Sequence, residues 1–326
     1  MPSWPHFSRL RRRASTELAV ATARVGRADL AVFHEFAPPP AGGGNQFLRA
    51  LVGEIEQRGL RVERNRLSRA TPACLCNSYN FDVERLRRLA GHGCRVVHRV
   101  DGPISVYRGR DDGTDRLIWE TNAALASATV FQSRYSLERH AELGLSFREP
   151  HVIRNTVDPS IFHAEGRSPF AAGGKVRLIA TSWSDNPAKG ADTIRWLEER
   201  LDWSRFELTF VGRTPVRFER LRLIPPVTPA ELARILREHD VFVTASLHES
   251  CSNALLEALA CGLPALYVDS GSNAELAGNA GLAFTDREEL PGLLDRLVHE
   301  REERQAAISL PTLADVADRY LEVLAL

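Results

Sequence analysis

One strand–loop–helix unit limits what this chain can fold into more than any other stretch. Val241-Phe242-Val243-Thr244-Ala245 is an apolar, β-branched run without polar alternation, which marks a strand buried on both faces, as in a parallel sheet. His248-Glu249-Ser250-Cys251-Ser252-Asn253 then leads into Ala254-Leu255-Leu256-Glu257-Ala258-Leu259-Ala260, a run of strong helix formers stopped by Gly262 and Pro264. Ser252 or Asn253 is placed to cap that helix. Its first N–H groups point back at the loop and make an anion site there. Glu249 falls in the loop at the strand's carboxyl end, and Glu257 one to two turns into the helix. The two glutamates by themselves suit a solvated helix face as well as a binding site. Together with the anion site, they match the parts of a nucleotide sugar: sugar hydroxyls, a diphosphate and ribose hydroxyls.

A parallel strand needs parallel partners, and the rest of the chain supplies them. Strands are expected at 30–34, 74–76, 96–100, 129–132 and 152–154, with helices at 45–58, 81–89, 115–126 and 135–143 between them. In the first helix Phe47, Leu48, Leu51, Val52 and Ile55 form one apolar stripe. A stretch rich in Pro, Gly, Ser and charge breaks the pattern at 158–175. The alternation restarts with strands at 176–181, 206–211, 241–245, 264–268 and 282–284, and helices at 192–200, 229–239, 253–261 and 287–301. The 326 residues suit two domains better than one core. The expected division is a basic leader (1–28), a first doubly wound domain (29–165), a second (166–308) and a terminal amphipathic helix (309–326) packing back towards the first. In such sheets ligands bind outside the carboxyl ends of the strands, so two facing domains enclose a cleft.

Composition removes several classes of function. Positive and negative side chains balance to a formal net charge of zero, which gives no reason to expect nucleic acid as a partner. The five scattered cysteines, Cys74, Cys76, Cys94, Cys251 and Cys261, suit reduced thiols and the cytoplasm better than a disulfide framework. Cys74-Leu75-Cys76 has no accompanying histidines, and Asp111-Asp112-Gly113-Thr114-Asp115 reads as a solvated turn and helix cap, so no metal site is expected. No apolar run approaches the ~20 residues of a membrane span. The leader, with Arg9, Arg11, Arg12 and Arg13, offers at most peripheral contact with an anionic membrane face; the other reading is a helix added to the first domain.

Three loops carry further chemistry. Gly42-Gly43-Gly44 follows the first strand, and glycines there let the backbone approach a ligand; their spacing is not that of a dinucleotide fingerprint. Ser182-Trp183-Ser184-Asp185-Asn186-Pro187-Ala188-Lys189-Gly190 follows the first strand of the second domain, where a lysine can meet the charge that develops on a leaving phosphate. Val97-His98-Arg99-Val100-Asp101-Gly102-Pro103 ends a strand of the first domain. His98 lies within that strand and reads as core.

The string from Glu249 to Pro264 resembles the E-x7-E signature of the retaining family-4 glycosyltransferases (glycosyl transferases group 1) of the GT-B fold. Lys189-Gly190 is similar to that family's diphosphate lysine, 152–162 to its stretch closing the first domain, and Gly271-Ser272-Asn273-Ala274-Glu275 to its G-G-x-x-E segment. Two positions depart from the pattern: Trp183 stands where the family often has arginine, and Asp101 where it commonly has histidine. The resemblance implies transfer of a hexose from a nucleoside-diphosphate sugar to an acceptor hydroxyl, with retention, no metal and no cofactor. Glu249 and Asp101 are then the catalytic candidates. The implied donor-binding set is Gly43, Gly44, Lys189, Arg213 (in place of the missing arginine), Ser252, Asn253, Glu257 and Glu275, with Glu275 equally able to cap its own helix. A nucleotide-sugar-binding protein without turnover and a sugar-nucleotide epimerase of the same fold are the alternatives.

Overall fold

The computed structural model describes residues 28–37, 42–90, 93–170 and 173–326. Residues 1–27 of the basic leader and Pro38–Ala41 lie outside them. The first half of the chain folds as β1 (Leu30–Phe33), α1 (Gly43–Gln57), β2 (Val62–Arg64), β3 (Ala73–Asn77), α2 (Val83–Leu89), β4 (Arg95–Val100), α3 (Ile104–Arg108), α4 (Thr114–Leu125), β5 (Ala128–Phe131), α5 (Arg134–Glu142) and β6 (Pro150–Val152). The second half gives β7 (Val176–Ser182), α6 (Ala191–Arg200), β8 (Phe206–Gly212), β9 (Arg222–Ile224), α7 (Pro229–Arg237), β10 (Val241–Thr244), α8 (Asn253–Ala260), β11 (Ala265–Val268), α9 (Asn273–Ala277), β12 (Gly281–Phe284), α10 (Leu290–His299), α11 (Arg301–Ala306) and α12 (Leu313–Leu324).

The strands form two six-stranded sheets, ordered β2-β1-β3-β4-β5-β6 and β12-β11-β10-β7-β8-β9, and every pairing is parallel. Parallel sheets bury both faces under helices, which explains why β1, β3, β5 and β10 are buried along their whole length. In each sheet the strand order reverses once, between β1 and β3 and between β7 and β10. A crevice opens at the carboxyl ends of the strands at such a switch point.

Several elements differ from the sequence expectation, each for a local reason. Strands β2 and β9 are three-residue edge strands, too short to show a period. Helix α1 begins at Gly43, with Gly42 as its cap, so two of the three glycines are helical. The helix expected at 287–301 is divided into a 3-10 turn over Arg287–Glu289 and α10, with α11 separate. Asp115 is not solvated: it is buried, and its carboxylate accepts from the backbone of Ile104 and Ser105.

The terminal helix α12 packs into the first domain. Val316, Ala317, Tyr320, Val323 and Leu324 share one apolar cluster with Leu30, Leu48, Leu51 and Val97. Arg95 Nε donates to the Val323 carbonyl at 2.7 Å, and Arg58 pairs with Asp318.

Candidate active site

The switch point of the second sheet builds the site. The loop after β7 carries Lys189 and the loop after β10 carries Glu249, and because β7 and β10 are neighbours the two side chains meet in an ion pair. The loops are fastened to each other through the Leu247 N–H, which donates to the Ala188 carbonyl at 2.7 Å. Gly190 makes this approach possible. Its φ is +73°, and a Cβ there would lie 2.3 Å from the Ala245 carbonyl oxygen. On the other side Ser272 N donates to the Glu249 carbonyl at 2.9 Å, and His248 N donates to Ser270 Oγ at 3.0 Å. His248 itself holds a φ of +56°, an uncommon conformation for a non-glycine residue, immediately before Glu249.

Burial works against the charge on Lys189, yet Glu249 and Tyr107 outweigh it and hold the ammonium above its ordinary pKa. Helix α8 starts beside the pair. Ser252 is its cap and accepts from Leu255 N, which leaves the other early N–H groups of the helix facing the cleft. Glu257, one turn on, is buried, and desolvation raises its carboxyl to about 8, so that it is mostly uncharged at neutral pH. Lys189, Glu249, Ser252, Asn253 and Glu257 line one cleft of about 820 Å³, part of it open to solvent.

The first domain closes the cleft from the opposite side. The amino end of α1 meets the amino end of α8: a Cβ on Gly43 would lie 2.4 Å from the Asn253 side chain. Two helix dipoles therefore converge on one wall, a favourable setting for an anion. Asn155 Nδ2 donates to Asn253 Oδ1 at 3.2 Å across the same boundary.

The remaining expected site residues lie elsewhere. Gly44 has open space at its Cα and needs no glycine for packing. Arg213 is exposed and stacks on Trp183, its guanidinium carbon 5.1 Å from the ring centroid, so a cation stands beside the position from which the arginine is missing. The Asp101 carboxylate accepts from Gln132 and from the buried Arg99 at 3.2 Å and does not line the cleft. The Glu275 carboxylate neither caps α9 nor faces the cleft; it accepts from Arg134 N of the first domain at 2.9 Å, joining the two domains. His98 is core, with Nε2 against the Ser78 carbonyl at 2.8 Å and its pKa lowered to about 4 by burial. Sequence reasoning missed Tyr107, which lies beside Lys189 on a helix of only five residues. Among the described residues no group of three His, Cys, Asp or Glu side chains is placed to hold a metal ion, and no helix is long and apolar enough to cross a membrane.

Two facing parallel domains with a cleft at their strand ends are the GT-B architecture of glycosyltransferases. Residues 190–300, which include Glu249 and Glu257, match the family model for glycosyl transferases group 1. A search of curated protein sequences gives no match. Among solved structures the chain is similar to sucrose-phosphate synthase from Thermosynechococcus elongatus, with a TM-score of 0.68 and 14% identity over 91% of this chain and 95% of that one. It is also similar to Anabaena HepE in complex with UDP and glucose, with a TM-score of 0.64 and 13% identity over 92% and 96% of the two chains. Trehalose 6-phosphate synthase from Burkholderia multivorans gives a TM-score of 0.60 and 14% identity over 86% and 76%.

Proposed function

We propose that this protein transfers a hexose from a nucleoside-diphosphate sugar to an acceptor hydroxyl, with retention at the anomeric carbon and without a metal ion. One observation carries the reading: a lysine, two glutamates and the amino end of a capped helix converge in a single interdomain cleft. The chemistry calls for each of them. As the bond from the anomeric carbon to the phosphate oxygen breaks, negative charge grows on the diphosphate, and Lys189 with the N–H groups of α8 opposes it in a partly dry site. The sugar becomes cationic at the same moment, and the Glu249 carboxylate, bound to its hydroxyls, gains in strength as it does. Glu257, held uncharged, both donates to and accepts from ribose hydroxyls. The acceptor oxygen forms its bond to the anomeric carbon on the face that the phosphate leaves, and its proton passes to the departing phosphate oxygen. No protein nucleophile is required.

The likeness to Anabaena HepE, solved with UDP and glucose, makes UDP sugars the first donors to try. A thermal-shift screen of UDP, GDP and ADP sugars tests the reading: a donor at ~100 times its dissociation constant adds roughly 2.7 kcal/mol to stability. The identified donor, incubated with acceptor mixtures in the presence of a chelator, is expected to give a glycoside that keeps the donor's anomeric configuration. Binding with neither transfer nor donor hydrolysis would replace this reading with that of a nucleotide-sugar-binding protein, and interconversion of the sugar without transfer would replace it with an epimerase.

A further inference from the structure

Both domains hold the chain on either side of Glu249. Its own domain fixes the backbone: Ser272 N donates to the Glu249 carbonyl, and His248 N donates to Ser270 Oγ. Gly271, between those two serines, packs so closely that a Cβ there would lie 2.5 Å from Glu249 N and 2.6 Å from Glu249 O. The first domain meets the neighbours of Glu249 in sequence. Tyr135, the second residue of α5, places its hydroxyl 3.3 Å from His248 Nδ1. At Gly102, just after β4, a Cβ would lie 3.0 Å from Ser250 Cβ. Glu249 is thus flanked at 248 and at 250, and Ser136 Oγ ties the two contacts together by donating to the Asp101 carbonyl at 3.0 Å.

The same end of α5 is fastened a second time. The Glu275 carboxylate accepts from Arg134 N, one of the early helix N–H groups that have no partner within the helix, and its charge suits the amino end of the dipole. Arg154, just beyond β6, donates to the Glu275 carbonyl at 3.0 Å. Glu275 follows directly on the 270–272 segment. The first turn of α5 therefore grips both segments that define the backbone of Glu249. Between them stands His248 in its left-handed conformation, which a bulky residue keeps only where its surroundings impose it.

We infer that Tyr135 is a positioning residue for Glu249: by holding His248 from the first domain it maintains the left-handed turn that aims the carboxylate at the donor sugar. This rests on the donor reading given above. When the domains part, His248 loses the tyrosine and Ser250 loses its neighbour at Gly102, so Glu249 is fully aimed only in the closed molecule. A glutamate aimed in that state alone protects the donor from water until the acceptor side has arrived.

The test compares each nucleotide with its hexose-bearing form, because the sugar is the part that Glu249 holds. It needs no acceptor, since the contacts are made between the two domains alone. Affinities of the full-length protein are measured for UDP and UDP-glucose, GDP and GDP-mannose, and ADP and ADP-glucose. Whatever the wild-type ratio of hexose-bearing to bare nucleotide affinity, Tyr135→Phe should lower it roughly threefold to tenfold, the scale of one hydrogen bond, while bare nucleotide affinity stays within about twofold. His248→Gly, which keeps the backbone conformation and removes the partner, should lower it likewise, and adding Tyr135→Phe to that variant should change nothing further. His248→Asn tolerates the left-handed backbone and presents an amide group where Nδ1 stood, so it should recover most of the ratio. An unchanged ratio in Tyr135→Phe, or an equal loss for both forms of the nucleotide as a merely structural contact would give, overturns the inference. Additive losses in the double variant overturn the step through His248. A wild type that binds none of the six overturns the donor reading instead.

Discussion

The two domains share a sheet plan and use their switch points in opposite ways. In the second, the crevice between β7 and β10 stays open and holds Lys189, Glu249 and the start of α8. In the first, Arg99 gathers most of the polar groups at the strand ends, while both ring nitrogens of His34 are buried without a hydrogen-bond partner. Arg99 is wholly buried, donates to Asn77, to Asp101 and to Asn155 at 2.8 Å, and lies 5.0 Å from the centre of the Phe47 ring. His34 and His98 are buried beside it, each with its pKa lowered to about 4 by desolvation. A parallel sheet therefore provides the place for a site, while the state of the polar groups there decides between scaffold and chemistry.

The largest expected effects separate these roles. Glu249→Gln should reduce turnover about a hundredfold or more, with a smaller loss of stability from leaving Lys189 without its partner. Arg99→Met should do the reverse, costing about 3–5 kcal/mol in denaturant titrations by stranding the partners of a buried cation. If Arg99→Met abolished transfer while stability held, the first crevice would be chemical after all.

Closure is the next test. Gly43→Val drives a side chain into Asn253 across the cleft, where a Cβ is already too close, so transfer should fall severely while nucleotide affinity stays within a few-fold. Scattering should show the variant remaining open with donor bound. Normal transfer by Gly43→Val would make this contact incidental.

A smaller effect comes from Glu257. With its folded pKa near 8 and its unfolded value in the ordinary carboxyl range, the native state holds a proton that the unfolded chain releases. Stability must then fall as pH rises through that window, by at most ~1.4 kcal/mol per pH unit. In Glu257→Gln that fall should vanish, and parallel pH profiles of the two proteins would return Glu257 to an ordinary surface acid. Smallest of all, Gly44→Ala should be close to neutral in activity and stability, in contrast to Gly43, because nothing stands near its Cα.

The second domain was the more legible of the two in the sequence. Glu249, Ser252 and Glu257 lie on one uninterrupted strand–loop–helix unit, so local rules place them relative to one another. Where a residue depends on the other domain, local rules fall silent. Glu275 stands in a recognisable segment, yet its partner, Arg134, is 141 residues away. Tyr107 lies on five residues that show no period, and Asp115 looked solvated because its partners precede it across a turn rich in charge. Asp101 was placed correctly at a strand end, but its engagement by Arg99 and Gln132 follows from side-chain packing that no spacing encodes.

The packing of α12 against β3 and β4 has a consequence for how the molecule is made. The ribosome finishes every strand of the first domain before it begins the second, yet Tyr320, Val323 and Leu324, which complete that domain's core, follow the whole of the second sheet in the chain. The domain translated first is therefore the one completed last. Until α12 has been made, the apolar faces of Leu48, Leu51 and Val97 lack part of their cover. A chain broken within α12 would keep the second sheet nearly intact and expose the core of the half made at the start.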